Sequence, residues 1–338
     1  MQDWPTVSIV TPTYNEAKNI GRCLDAIFSQ DYPRNKIEVW VVDNYSTDQT
    51  VALAKKYPVK IIYNRVRDAQ LSKMLAFKKA RGDLFCYIDA DYKLRGRDWL
   101  KKMAFPLADD VQITGSFTRY LVAKKDHSLS RFLSYDLFQR DPIFKFFSIE
   151  IEKIITEKRK GYSVCDFQSG RIPPVGICLF RRRLALKTAI AKKNKLMELD
   201  NLEIFAKAGY HRFAFVPQAG YYHRHVASLR QLVKKRMRNI ERNYFYDYGV
   251  REYTWVNFSR PRDLLKIIFW VIYANLFFPA LVKALGNVWR QCDWACLWEP
   301  VVALVVTDVT IYEFLVLFLG IKKVAPCRLK TVKRKTVR

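Results

Sequence analysis

Acidic residues are scarce in this sequence: 32 Asp and Glu stand against 59 Lys and Arg, leaving a formal net charge of +27. Such a deficit argues for a polyanionic neighbour, whether nucleic acid, anionic lipid or a phosphorylated substrate, rather than a cationic one. Paired cysteine spacing of the zinc-binding kind is absent among the seven cysteines, so no zinc module is expected. Cys23, Cys86, Cys165 and Cys178 stand singly in apolar surroundings, the pattern of a reducing compartment. Cys292 and Cys296 read as loop thiols in preference to a disulfide. The first five residues lack the charged-then-apolar order of a secretory signal, so the main domain is expected on the cytosolic side. No internal repeat is visible. Half of the 338 residues are hydrophobic, enough for one large domain, a smaller region and apolar surface to spare for a membrane.

What is present, over the first hundred residues, is an alternation of strand and helix. Residues 6–10 form a short apolar strand closed by Thr11-Pro12-Thr13, and Asn15 is placed to cap the helix whose Ile20, Cys23, Leu24, Ile27 and Phe28 share one face. Residues 37–42 form a second strand ending at Asp43, after which Ser46 and Gln49 have capping-box spacing. Residues 59–63 form a third, ending at Asn64; Leu71, Met74, Leu75 and Lys78 then read as a helix stopped by Gly82. The run 84–88 is a fourth strand, followed at once by Asp89-Ala90-Asp91. Strands separated by helices imply an α/β fold with a largely parallel sheet and right-handed crossovers. Each carboxyl end carries ligand-type groups: Thr11 and Thr13, Asp43 and Asn44, Asn64, then Asp89 and Asp91. Open α/β sheets bind ligands at those ends, and a hard divalent cation, which a pyrophosphate needs, takes oxygen ligands.

Further along, Phe132, Leu133, Tyr135, Leu137, Phe138, Ile143, Phe144, Phe146 and Phe147 exceed one narrow core stripe. They suit either an interfacial amphipathic segment or a helix pair packed on the sheet. Interfacial helices are expected around residues 127–160 and 228–250. Two apolar stretches, 264–285 and 300–321, approach the ~20 residues that span a bilayer and read as a transmembrane hairpin. Asn275 and Pro279 interrupt the first; Asp308 and Glu313 interrupt the second and must be paired or near its edge. Basic residues precede the first span (Arg260, Arg262, Lys266) and fill the tail 323–338, whereas the loop 286–299 has one Arg beside Trp289, Trp294 and Trp298. The positive-inside rule then places both ends in the cytosol, giving a multi-pass membrane protein. The expected organisation is a main domain over 1–258, two spans within 259–322, and a basic cytosolic tail.

Three blocks together, residues 7–16 (VSIVTPTYNE), 42–48 (VDNYSTD) and 89–91 (DAD), resemble family 2 glycosyltransferases, with the likeness running over about residues 6–240. The resemblance implies a GT-A fold with a mixed, mostly parallel sheet, a nucleotide-sugar donor, Mg²⁺ or Mn²⁺, and inversion at the anomeric carbon. It carries nucleoside binding onto Thr11, Tyr14, Glu16 and Asp43, and metal binding onto Asp89 and Asp91, with Asp91 the more direct ligand. Asn64 and Asp89 complete the donor side at their strand ends. Asp48 matches a further acid of the second block, with stabilisation of a helix N-terminus an equal reading. Gly176, in Val175-Gly176-Ile177-Cys178, matches the segment bordering donor sugar and acceptor; a strand bulge is the alternative.

Glycosyl transfer passes through an oxocarbenium-like transition state and leaves charge on a departing diphosphate, which a metal and nearby cations neutralise. An inverting reaction also needs a carboxylate base on the opposite sugar face, unless the acceptor is already an anion. An ungapped count from Gly209 gives the family's base as Glu198, whereas a shift of two residues gives Asp200; an acidic helix start is the third reading. His223 is a candidate metal or pyrophosphate ligand, or a packed residue without such a role. Arg230, Lys234 and Arg238 share one helical face opposite Leu229, Val233, Met237 and Ile240, suiting a diphosphate clamp or contact with anionic headgroups. The Gln-x-x-Arg-Trp of processive members is missing: Gln231-Leu232-Val233-Lys234-Lys235 stands there, which removes support for a polysaccharide synthase. The expected activity is membrane-anchored, metal-dependent, inverting transfer of a sugar to a lipid-linked or cell-surface glycan acceptor. One alternative is a polyprenyl-phosphate glycosyltransferase of the dolichol-phosphate mannose synthase type, which needs no base. Another is a basic membrane-tethered nucleic-acid binder, which leaves carboxylates at strand ends unexplained; nucleic acid is therefore not an expected partner.

Overall fold

The apolar runs of the first hundred residues become neighbouring strands in the computed structural model, which describes residues 3–135, 141–241 and 251–322. In chain order these are β1 (Val7–Thr13), α1 (Ile20–Phe28), β2 (Ile37–Asp43), α2 (Thr50–Ala54), β3 (Lys60–Tyr63), α3 (Ala69–Lys79) and β4 (Leu84–Tyr87). There follow β5 (Tyr92–Leu94), α4 (Trp99–Asp109), β6 (Gly115–Phe117), β7 (Tyr120–Leu121), β8 (Ile155–Arg159), β9 (Tyr162–Asp166), β10 (Cys178–Arg181), β11 (Arg212–Phe215) and β12 (Tyr221–His223). Nine strands form one sheet in the order β3-β2-β1-β4-β10-β6-β11-β9-β8. The block β3-β2-β1-β4 is wholly parallel, and β10 joins it antiparallel. Beyond β10 the pairings mix directions, giving the Rossmann-like α/β sheet expected. β1 is buried along its whole length, as a strand covered on both faces must be, whereas the edge strand β3 is partly open and carries Lys60. Gly82 is required by packing: a Cβ there would lie 2.6 Å from the Ser8 nitrogen of β1.

Several local expectations give way. β1 runs on through Pro12, which lies past Val10, the last β1 residue paired with β4. Asn15 is not a cap; it is left-handed (φ 55°) and its Oδ1 accepts from the Thr47 N–H at 2.8 Å. Ser46 and Gln49 form no capping box, because Ser46 donates to Asp43 and helix α2 starts only at Thr50. Asp48 meets that start instead, accepting from Thr50 N at 3.0 Å and, with its other oxygen, from Ala17 N at 3.1 Å. α3 is capped by Asp68 and buries Ser72, Lys73, Met74, Ala76 and Phe77, leaving Lys78 exposed.

Two compact units emerge: Met1–Leu121 with Ile149–His223, and Val122–Ser148 with Arg224–Arg338. The division differs from the single boundary near 258, since residues 122–148 and 224–258 group with the C-terminal helices. In the second unit Leu129, Phe132 and Leu133 of helix Ser128–Tyr135 pack with Val226, Leu232, Ala295, Val302 and Val306. The expected first span is not one helix. Helices Pro261–Asn275 and Phe278–Gln291 meet at 73°, with Phe277 left-handed (φ 61°) and Pro279 in the first turn of the second piece. A hairpin of two straight spans is therefore not formed. Among the described residues one helical stretch, Trp294–Phe318, is long and apolar enough to cross a membrane. The basic tail 323–338, the stretch 242–250 and Leu137 and Phe138 lie outside the described residues. Cys23, Cys86, Cys165, Cys178, Cys292 and Cys296 are free thiols.

Candidate active site

The carboxyl ends of β1, β2, β3 and β4 bring their polar residues into the first unit's site region. Asp89 and Asp91 follow β4, and the chain returns as β5, which pairs antiparallel with β12 so that Tyr92 faces His223. That register sets His223 Nε2 3.2 Å from Asp91 Oδ2. Tyr92 and Tyr120 hold the imidazole between them, with ring centroids 4.8 and 5.8 Å away. Glu16 enters from the end of β1. Burial raises its pKa, a hydrogen bond from Asn19 opposes the rise, and the charges of Asp91, Asp89 and Asp48 add to it. Such mutual repulsion is relieved by a cation. Among the described residues no three His, Cys, Asp or Glu side chains converge as a ready-made cage. The donor set of Asp91 and His223, with Asp89 nearby, nevertheless fits Mg²⁺ or Mn²⁺, which take one or two protein groups and complete their shell with phosphate oxygens and water.

On the other side of Asp89 lies a residue that motif reading passed over. Lys73 of α3 is only 3% exposed, with Nζ 3.2 Å from Glu198 Oε1, 3.8 Å from Asp89 Oδ1 and 4.0 Å from the Tyr87 ring centroid. Burial works against its charge, but Asp89 and Glu198 outweigh that and raise its pKa, so the ammonium persists. The signal was present: Lys73, Ala76, Phe77 and Ala80 follow an i, i+3, i+4, i+7 line, and all four are buried. The two candidate bases are also separated. Glu198, at the start of helix Glu198–Lys207, has a side chain 43% exposed, whereas Asp200 is 5% exposed within the same first turn.

The loops after β1, β2 and β3 form a second cluster. Asn15, Tyr45 and Arg67 all adopt left-handed backbone, an uncommon and costly conformation for non-glycine residues that concentrates at functional sites. Tyr14 is exposed with the Arg67 guanidinium 5.1 Å from its ring centroid, and Tyr45 accepts a 2.8 Å hydrogen bond from Arg65 Nε. Tyr63 meets Tyr45 edge-on at 5.9 Å. Asp43 is buried and accepts from Thr13 Oγ1, Ser46 N and Ser46 Oγ. Asn64 is also buried, and its amide is engaged with Asn44, Ser72, the Asp68 carbonyl and the Val66 N–H, so it ties loops together rather than facing outward. Thr11 is wholly buried within β1.

Residues 8–184, just over half of the chain, match the family model described as glycosyl transferase family 2. The chain belongs to that family. Among curated relatives, the glycosyltransferase AglE of Haloferax volcanii is 33% identical over 104 residues, 29% of this chain and 34% of that protein. A dolichol-phosphate mannosyltransferase of Pyrococcus furiosus is 40% identical over 91 residues, a quarter of each chain. The matched segments thus span only a quarter to a third of those relatives. The solved structure of the mannosyltransferase PcManGT from Pyrobaculum calidifontis, in complex with GDP-Man and Mn²⁺, superposes with a TM-score of 0.51 at 17% identity, covering 92% of this chain and 88% of that one. The likeness shows the GT-A fold, consistent with membership of glycosyl transferase family 2.

The enzyme keeps the remaining predicted residues elsewhere. Gly176 precedes β10, and its Cα is closed in by the Thr118 carbonyl and the Tyr221 ring, where a Cβ would lie at 2.6 and 3.0 Å. Close approach is thus real, but the approaching group is the protein's own backbone and ring. Arg230, Lys234 and Arg238 belong to the second unit, exposed on helix Leu229–Ile240, while Leu232 and Ile240 form its buried face.

Proposed function

We propose that this glycosyltransferase is membrane-anchored and inverting, and moves a sugar from a nucleoside-diphosphate sugar to a lipid-linked or glycan acceptor with Mg²⁺ or Mn²⁺. The observation that carries this reading is the Asp91–His223 pair at the strand ends, with Glu16 within reach of the Asp91 and Asp89 charges and Glu198 linked to Asp89 through Lys73. Tyr14, Tyr45 and Asp43 form the nucleoside side, where exposed rings offer stacking faces. Asp91 and His223 would hold the divalent cation, which would neutralise charge on the departing diphosphate. Glu198, exposed and beside Asp89, is the base; Asp200 is a packing acid of the same helix turn. The acceptor hydroxyl gives its proton to Glu198, its oxygen bonds to the anomeric carbon, and the bond from that carbon to the diphosphate breaks with its electron pair on phosphate.

A lipid-linked acceptor is supported by the apolar side chains left exposed on the second unit, among them Leu265, Phe269, Phe278, Trp289 and Phe318. It is also supported by the relatives: one curated protein of Methanococcus voltae, 34% identical over 102 residues, is named for transfer to a dolichyl-linked sugar phosphate. The test is to incubate membranes containing the enzyme with labelled UDP-, GDP- and dTDP-sugars and Mn²⁺. Label should enter the lipid extract and depend on Glu198; label confined to soluble products rejects the acceptor class. Full activity in Glu198→Gln rejects the base and favours an acceptor that is already an anion.

A further inference from the structure

Lysine is almost never fully buried unless paired, because taking an ammonium out of water is costly. Lys73 meets that condition at one place only, between two carboxylates that come from distant parts of the chain and both open to solvent on their far sides. Around it the start of α3 is bound to the segment leading into Glu198. Lys195 Nζ lies 3.0 Å from Asp68, the cap of α3, and Leu196 N donates to the Gln70 carbonyl at 3.1 Å. Those contacts fix the backbone of residues 195–196; the Lys73–Glu198 hydrogen bond at 3.2 Å fixes the carboxylate itself. The Tyr87 ring beside Nζ limits where the ammonium can go.

We propose that Lys73 is a positioning residue for sugar transfer: one buried ammonium holds the Glu198 carboxylate at a set distance from Asp89, and so aligns the acceptor's base with the donor end of β4. The inference rests on the assignment of Glu198 made above. Glutamate is long and, at a helix start, free to take several rotamers. A base must lie within hydrogen-bond reach of the proton it takes, and a displacement of about 1 Å can lower the rate about a hundredfold. Lys73 removes that freedom without touching substrate.

The experiment compares full-length enzyme in membranes, wild type against Lys73→Met, Lys73→Arg, Glu198→Gln and the double variant Lys73→Met/Glu198→Gln. The readout is transfer of label from whichever nucleotide sugar of the UDP, GDP and dTDP panel turns over fastest. Lys73→Met is expected to lower kcat by about thirtyfold to a hundredfold while the donor KM stays within about threefold. The double variant is expected to be no slower than Glu198→Gln alone, because the lysine acts through that carboxylate, and Lys73→Arg to recover about tenfold of the loss. If Lys73→Met does not accumulate, Lys73→Gln is judged by the same criteria. A near-wild-type rate in Lys73→Met beside a slow Glu198→Gln overturns the proposal alone. So does a loss that multiplies fully with that of Glu198→Gln. A wild-type rate in Glu198→Gln overturns the base assignment and this proposal with it.

Discussion

Two sets of carboxylates, one in each unit, are treated in opposite ways. In the second unit Glu299, Glu313, Asp141 and Asp293 are largely sealed in and answered at once. Glu299, 1% exposed, meets Lys145 and accepts a 2.6 Å hydrogen bond from Tyr273, and Glu313, wholly buried, lies 3.2 Å from Lys322. Asp141 meets Arg236, and Asp293 takes two hydrogen bonds from Arg131, at 2.8 and 2.9 Å, and one from Tyr135 at 2.7 Å. In the first unit Asp89, Asp91 and Glu198 keep more than a third of their side-chain surface open, and the nearby acids repel one another. Acids that hold helices together bring their own counter-charge; acids that leave a face open at strand ends would, on the function proposed above, take theirs from a ligand.

The sharpest way to break this contrast is Asp91→Ala. Sugar transfer should fall by about a thousandfold or more, with the fold intact by circular dichroism, since a charge-stabilising ligand of this kind is worth several kcal/mol in the transition state. Undiminished turnover in the presence of a chelator would place Asp91 with the structural acids. Lys145→Met tests the opposite class. Leaving Glu299 buried without its ammonium should cost about 3–5 kcal/mol and lower the melting temperature, while the thermal shift produced by UDP or GDP with Mn²⁺ stays unchanged. A lost nucleotide response at unchanged stability would contradict the division. The smallest effect is expected at Glu16. Its folded pKa is raised, chiefly by burial, so the native state holds that proton more tightly than the unfolded chain. Stability from this group is fully present below the ordinary glutamate range and is lost as pH climbs through the raised value. Glu16→Gln should therefore gain about a few degrees in melting temperature at neutral pH, nothing at about pH 4, and less advantage once Mn²⁺ is added. A variant less stable than wild type at neutral pH would reverse that sign.

The strand ends that bring the candidate residues together were legible because each of their features is local. A short apolar run followed by a polar residue gives a strand and its end, and Asp89-Ala90-Asp91 needs no knowledge of the rest of the chain. Lys73 was less legible: its place on the buried line with Ala76, Phe77 and Ala80 separates it from Lys78 and Lys79, but its partners at residues 89 and 198 lie far away in sequence. Counting gave Glu198 without a gap and Asp200 with a shift of two residues; what separates these two acids of one helix turn is their exposure, which spacing does not report. Capping was misread at Asn15 and Ser46 because both side chains bind across loops instead of along their own helix. The first apolar stretch announced its break through Asn275 and Pro279, but composition alone does not report a 73° angle.

The three-residue ribbon of β5 and β12 carries more than its length suggests. His223 reaches Asp91 only because Tyr92 and His223 stand opposite each other, and a slip by one position would present Tyr222 instead. Asp91 is synthesised early and His223 at the very end of the first unit. During translation the nascent chain therefore displays its acidic strand ends long before their imidazole partner leaves the ribosome, and the Asp91–His223 pair can assemble only once the last strand of that unit has been made.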